Sequence, residues 1–446
     1  MLWDGGHMRR RLRWLGIVLS LLLLGGGALV ALSDRTPLLN DATVGQNPYP
    51  LVLDEQTGRA FVFNRDDGSI STIDTASGAL VRTVKAGSGF AWMAIDQRTQ
   101  RVFVTSNDDT ITTLDATSGM ILQHVTDTEL TPRGIAVDER DNLVVVGHRD
   151  TSTVTLLDAR RGTILRHVPL CAGPWDLAMS AGAGHVFAQC EGAVTAMLDA
   201  RTGRVLRVVP AAGGEGILTV VTVDERTNRV VVNFGVGVAM ALLDARSGAP
   251  VRTLAGIDGS RGFRTVAVDG RSGRIYVALT GPGLSGITTT VSQVAMLDGR
   301  TGALLRQAVV AANPVALAFD ARRGRLLVGS VGAMDVSGLP TGDGMLSVLD
   351  GTSLVTLRRQ RVGVTPRDMA IDGRTDHLLV DNETANLDTF YPVALATRPP
   401  DPWWQRLRRE ALGTAKHALP WLPLTVPAPP IPTTRGNVLT VDLARL

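Results

Sequence analysis

Residues 52–85 read VLDEQTGRAFVFNRDDGSISTIDTASGALVRTVK. An apolar segment ends on Asp54, a polar turn follows, and "RAFVFN" then alternates as a strand rich in aromatic and β-branched residues. "STID" is a third strand that ends on Asp74, and "LVRTV" a fourth that follows a Ser-Gly turn. The turns carry Gly where a positive φ is needed.

This phrase recurs. The first Asp falls at Asp54, Asp96, Asp138, Asp224, Asp269, Asp320 and Asp372, with Ser180 in the fourth copy. The second falls at Asp74, Asp115, Asp158, Asp199, Asp244, Asp298, Asp350 and Asp442. Successive first positions lie 42, 42, 42, 44, 45, 51 and 52 residues apart. Four short antiparallel strands at this period describe a blade of a β-propeller, whereas helical repeats would show a 3.6-residue period. Eight copies predict an all-β, eight-bladed propeller over residues 37–446, with seven blades as the alternative if one copy is aberrant. The last copy ends at Leu446 without a fourth strand. Pro37 to Val44 is therefore expected to close the ring as the outer strand of the last blade.

The repeats resemble the YVTN family of β-propellers, which are WD-repeat-like. The resemblance is carried by "AFVFNRDDGSISTIDTASGALVRTVKAG", "VFVTSNDDTITTLDATSGMIL", "TPRGIAVD" and "NPVALAFD". It implies the fold and leaves the function open, because one fold hosts many functions. "LDARTGRVLR" is also similar to the repeats of quinone-cofactor dehydrogenases, in which a Trp eight residues after the Asp locks adjacent blades. Here that place holds Arg82, Gln123, Arg166, Arg207, Arg252, Arg306 and Arg358. A quinoprotein-like oxidoreductase is therefore kept only as the alternative to a non-catalytic binding propeller.

The 446 residues are 44% hydrophobic and 20% charged, which excludes a disordered chain. Two cysteines exclude a disulfide-dense scaffold and a four-thiolate zinc site. A net charge of +3 gives no ground for a nucleic-acid partner. Residues 14–32 carry no charge and follow Arg9, Arg10, Arg11 and Arg13 in the basic segment 1–13. Such a run just spans a hydrocarbon core and orients the rest of the chain outside the cytoplasm. It reads as a transmembrane anchor or, alternatively, as a cleaved signal that leaves a secreted or periplasmic protein.

Strand order gives the propeller two ends. The turns at one end, the bottom, are short in every copy. The other end, the top, holds the long departures, the longest being an insert at 384–435 in the last blade. Within it "DPWWQRLRREALGTAKHALPW" reads as an amphipathic helix whose Trp403, Trp404 and Leu407 serve as a lid or a partner contact. A Pro-rich strap follows it.

Five residues before each first Asp, the inner strands present Tyr49, Ala91, Arg133, Trp175, Thr219, Arg264, Val315 and Arg367 around the top mouth of the axial channel. Trp92, Asp176 and Asp368 sit one position further in. Tyr49, Trp92, Arg133, Trp175, Arg264, Arg367 and Asp368 are the candidate site for an anionic, partly planar ligand or a protein partner. The competing reading pairs the arginines with Asp66, Asp67, Asp108, Asp109 and Asp150 in the top hairpin tips. No catalytic set, metal site or cofactor motif is legible. Cys171 and Cys190 fall on the top side of blade four and read either as a disulfide or as two small buried thiols.

Overall fold

The computed structural model describes residues 38–126, 131–192, 194–210, 220–233, 239–255, 262–280, 292–331, 343–382, 436–444 and 446. Residues 14–32 and the insert with Trp403, Trp404 and Leu407 lie outside these. Among the described residues there are strands and turns only, and no helix is long and apolar enough to cross a membrane.

The strands form eight antiparallel four-stranded sheets, so the seven-bladed alternative is set aside. Blade one runs Pro48–Asp54, Arg59–Asn64, Ser69–Asp74 and Leu80–Lys85 from the axis outward. The next six blades repeat that order. Blade eight differs: Pro366–Asp372, His377–Asn382 and Asn437–Asp442 are completed by Leu38–Thr43 from the other end of the chain. Thr43 pairs with Asn437 and Leu38 with Val441, so the closing strand starts at the bottom and runs upward.

The second and third strands of the blades are those of a sheet buried on both faces, while the outermost strands are largely exposed. The second strand of blade one shows only its first residue, Arg59, and buries Ala60 to Asn64. Side chains from neighbouring sheets interdigitate. Phe61, Phe63 and Ile70 of blade one pack with Val102, Val104 and Leu114 of blade two. The joint between blades eight and one is equally apolar, with Leu379, Val438, Ala42 and Val44 meeting Leu51, Val62 and Ile73. No blade could bury both faces alone, so the ring is the folding unit.

Each repeated Asp builds a turn. Asp74 Oδ1 accepts from the Ser77 N–H at 2.9 Å and from its hydroxyl at 2.8 Å, and Gly78 completes the turn at φ +69°. The same turn recurs at Asp115, Asp199, Asp244, Asp298 and Asp350. In several blades the residue that opens the second strand then reaches the turn of the next blade. Arg229 Nε donates to Arg300 O at 3.2 Å, His185 Nδ1 to Ala245 O at 3.0 Å, and His377 Nδ1 to Thr75 O at 2.7 Å. In blade six Tyr276 does the same, donating its hydroxyl to Gly351 O at 2.6 Å.

The eighth residue after the second Asp also joins blades, with arginine chemistry in place of an indole. Arg166 donates to the Arg201 and Thr202 carbonyls of blade four at 3.3 and 3.4 Å. The stems of Arg207 and Arg252 lie over Gly248 and Gly302 of the following blades, where an added Cβ would come within 3.0 Å of each Cδ. A glycine at the turn is thus what lets the arginine stem cover the neighbouring sheet.

Candidate functional site

Among the described residues, the inner strands carry Tyr49, Ala91, Arg133, Trp175, Val315 and Arg367 at or beside their upper ends. Five of the candidates fall into two stacked groups.

In the first group, Arg65 lies between two rings, 4.4 Å from the Tyr49 centroid and 4.5 Å from Phe90, and Arg367 approaches Tyr49 at 5.5 Å. This joins blades eight, one and two. In the second, Arg133 stands 5.5 Å from Trp92 and 5.8 Å from Trp175, and Arg149 lies over Trp175 at 4.3 Å. This joins blades two, three and four. Cation–π stacking uses the face of a guanidinium and leaves its N–H groups in the plane, directed past the ring edge. Arg264 has its backbone at the corresponding place in Gly262–Asp269, but its side chain lies outside the description, as does Thr219.

The hairpin acids only partly engage the arginines. Arg133 Nη1 donates to Asn107 Oδ1, and the Arg133 Nε is buried without a hydrogen-bond partner. Arg149 pairs with Glu191 at 3.2 Å. Asp67 accepts from the Gln46 N–H at 2.6 Å, Asp66 from Asn47 Nδ2 at 3.2 Å, and Asp108 from the Ser106 and Thr110 hydroxyls at 2.6 Å. Asp108 thus shapes its own hairpin, while Asp66 and Asp67 tie their hairpin tip to the loop that enters the first strand. Asp109 and Asp150 act on Arg133 through their charge. Burial, together with the like charge of Arg149, lowers the Arg133 pKa from its ordinary value.

Asp176 and Asp368 occupy the same repeat position in blades four and eight, on opposite sides of an eight-membered ring. Each ties two inner strands together. Asp176 accepts from Leu177 N and, across the blade boundary, from Val221 N, both at 3.0 Å. Asp368 accepts from Met369 N at 2.9 Å and from Leu51 N of blade one at 3.2 Å. The Asp368 carboxylate is therefore a fastener of the ring closure as well as a wall of the channel. Burial pushes both carboxyls up to about 6, against the lowering effect of these N–H groups. Burial also raises Tyr49, and the charge of Asp368 adds to the rise.

Cys171 and Cys190 stand as a disulfide with Cα atoms 6.0 Å apart. Beside it Glu191 N donates to Ala172 O and Trp175 N to Gln189 O, each at 2.8 Å. The bridge thus holds the two chain segments that present Trp175 and Glu191. Among the described residues, no group of His, Cys, Asp and Glu is arranged to hold a metal ion.

These buried groups set a pH dependence. As pH falls from neutrality, folded Asp176 and Asp368 take up protons near 6, while in the unfolded chain the same groups wait until about 4. Stability therefore rises through that window. His148 opposes it: burial, then the charge of His167, lowers it to about 4, so the unfolded chain protonates it first. The two carboxyls together gain about 2.7 kcal/mol between pH 7.5 and 5 and the imidazole loses about 1.9 kcal/mol, which leaves a net gain of somewhat under 1 kcal/mol. Below about 4 the trend reverses. Hydrogen bonds from Thr202, Thr301 and Ser353 hold Asp199, Asp298 and Asp350 below the usual carboxylate range, and Arg323 does so for Asp376. Scanning calorimetry should find a melting temperature about 1 °C higher at pH 5 than at pH 7.5. A flat or falling profile over that interval would contradict the assignment.

Arg65, Phe90, Asn107, Arg149 and Glu191 belong to the mouth and are not among the residues expected from sequence. The signal was present: Arg65, Asn107, Arg149 and Glu191 each follow the second strand of blades one to four, at a 42-residue spacing.

No family model matches the chain, and no curated protein matches it. Among solved structures it is similar to the computationally designed Ika8 protein, at 16% identity and a TM-score of 0.56, over 76% of this chain and 95% of that one. Hydrazine synthase of Kuenenia stuttgartiensis aligns at 15% identity and a TM-score of 0.48, over 63% of this chain and 89% of that one. At such identities the first likeness speaks for the fold alone. The class defined by fold and geometry is an eight-bladed β-propeller with an arginine–aromatic channel mouth.

Proposed function

We propose that this chain is an exported, membrane-anchored, non-catalytic propeller of the YVTN type. It binds an anionic ligand, or a protein partner that presents one, at the top mouth of its channel. The observation that supports this best is the stack on Trp175. Two guanidiniums, Arg133 and Arg149, share one ring, and one of them carries a buried N–H donor without a partner. An anion seated between them would relieve their mutual repulsion and satisfy that donor. The aromatic faces are largely covered by arginines, so charge and hydrogen bonds, more than ring stacking, would select the ligand. No feature of the mouth favours the oxidoreductase reading over binding.

Thermal shift against a panel of carboxylated and phosphorylated small molecules tests this, because a ligand that binds only the folded state raises its melting temperature. Some members should stabilise the native chain. The combined substitution Arg133→Ala, Arg264→Ala and Arg367→Ala should abolish that shift while leaving the unliganded melt within a few degrees. Equal shifts in both proteins, or none in the native chain, would remove the channel mouth as the binding site.

A further inference from the structure

The bottom end differs from the top in ways that the proposed ligand site does not use. Every large apolar side chain that is exposed among the described residues sits on an outermost strand or in the turn leading into it. All but Val208 and Val309 lie in the lower half of those strands. Leu122 and Leu165 are each 49% exposed, Leu305 48% and Leu357 52%. These residues recur at one repeat position, seven after the second Asp, so together they form a broken apolar rim around the bottom.

The bottom turns beside this rim are basic. Arg98, Arg140, Arg201, Arg246, Arg300 and Arg322 are all exposed there. The exposed carboxylates in these turns are Glu55, Asp141 and Glu225. Two of them are already engaged, Glu55 with the Gly373 N–H at 3.0 Å and Glu225 with the Gly182 N–H at 3.1 Å. The top hairpin tips have the opposite character, with Asp66, Asp67, Asp108, Asp109 and Asp150.

A third observation comes from the path of the chain. The closing strand Leu38–Thr43 begins at the bottom, and the uncharged run 14–32 ends only five residues before it. The most apolar segment of the sequence therefore joins the propeller at the end that bears the leucine rim and the arginines.

We propose that the bottom rim is a contact surface for an anionic lipid bilayer. The arginines bind lipid phosphates, and the leucines of the lower outer strands enter the interfacial layer. Exposed leucines on a rim are ordinary by themselves. Apolar contact combined with basic charge, at the end where the chain would meet the membrane, is what interfacial binding requires. The aspartates in the hairpin tips of blades one to three would be repelled by the same surface, which favours an orientation with these tips turned away from the lipid. This concerns the end opposite the proposed ligand site and does not depend on that site, but it rests on the proposed membrane anchor.

The full chain in lipid nanodiscs provides the test. Discs of phosphatidylcholine alone are compared with discs containing phosphatidylglycerol, and with detergent. An anchor tethers the chain equally in both discs, so a difference between them reports the rim. The outermost strand leaves alternate N–H groups unpaired at the sheet edge, where they exchange readily unless covered. Hydrogen exchange at residues 120–123, 163–166, 303–306 and 355–358 should slow several-fold in the anionic discs alone. Added salt should reverse this, and the top tips should not change. Equal exchange in all three environments, protection in phosphatidylcholine alone, or protection of the top tips would overturn the proposal. Arg98→Ser, Arg140→Ser and Arg246→Ser together should remove the lipid-dependent protection without altering the melting temperature. If protection persists in that variant, the arginines are not the lipid contact and the proposal fails. Leu122→Ser with Leu165→Ser should weaken it from the apolar side.

Discussion

Deleting Leu38–Thr43 is expected to lower the melting temperature by roughly 10 °C or to leave a chain that does not fold. The segment forms the outermost strand of blade eight, paired from Leu38 opposite Val441 to Thr43 opposite Asn437 with one register shift between Leu38 and Asn40. It also supplies buried Ala42, and it positions Val44, whose N–H donates to Gly436 O at 3.1 Å. Losing these ladder bonds and apolar contacts removes on the order of 5 kcal/mol, comparable to the whole stability of many domains. It also bares the edge of Asn437–Asp442, and an unpaired edge invites pairing with another copy. Thermal melting with size-exclusion chromatography reads both effects. The milder Ala42→Pro, which removes one ladder donor, should fall between native and deleted chains. A deletion variant that melts with the native protein and stays monomeric would show that the ring does not need this strand.

Removal of the Cys171–Cys190 bridge is expected to have the next largest effect. The bridge closes a short loop, with a sequence separation of 19, and such loops contribute about 3 kcal/mol when the link is unstrained. Cys171→Ala with Cys190→Ala is the suitable pair, because Cys190 is buried among Leu177, Val186 and Ala188 and alanine suits that apolar setting. The double variant should melt several degrees lower than the native chain. Reductant should bring the native chain down to the same value and leave the variant unmoved. The loss should also reach the channel mouth, since Trp175 and Glu191 are held by bonds flanking the bridge. If reductant shifts neither protein, the two sulfurs contribute nothing as a link.

Much of the architecture was legible because the repeat writes itself in one residue type. Asp54 and Asp74 mark the ends of two strands, and their equivalents mark the blades one by one, even where Ser180 replaces one of them. Closure followed from counting strands in the last copy. The site was legible only along the inner strand, where the position five before the Asp aims Tyr49, Arg133, Trp175 and Arg367 at the mouth. The partners in the hairpin tips were missed because the contacts that matter, Arg133 with Asn107 and Arg149 with Glu191, join different blades. No spacing within one repeat displays such a pair. The inter-blade roles of Arg166, Arg229 and Tyr276 were hidden for the same reason. Each acts on a carbonyl dozens of residues away, and its own repeat shows only a basic or aromatic residue at a strand end. The repeat position of Asp368 marks it as a ligand contact, and its acceptance of the Leu51 N–H gives it a second task that only the closed ring reveals.

The shared construction of blade eight has a consequence in time. Leu38–Thr43 leaves the ribosome among the first residues of the propeller, and Asn437–Asp442 is made almost last. Their pairing spans nearly the whole sequence, the kind of distant contact that slows folding. For most of the time the blades are being made, the chain thus carries a first strand that has no mate. Until Asn437–Asp442 is added the row of blades stays open, and that segment decides whether it becomes a ring.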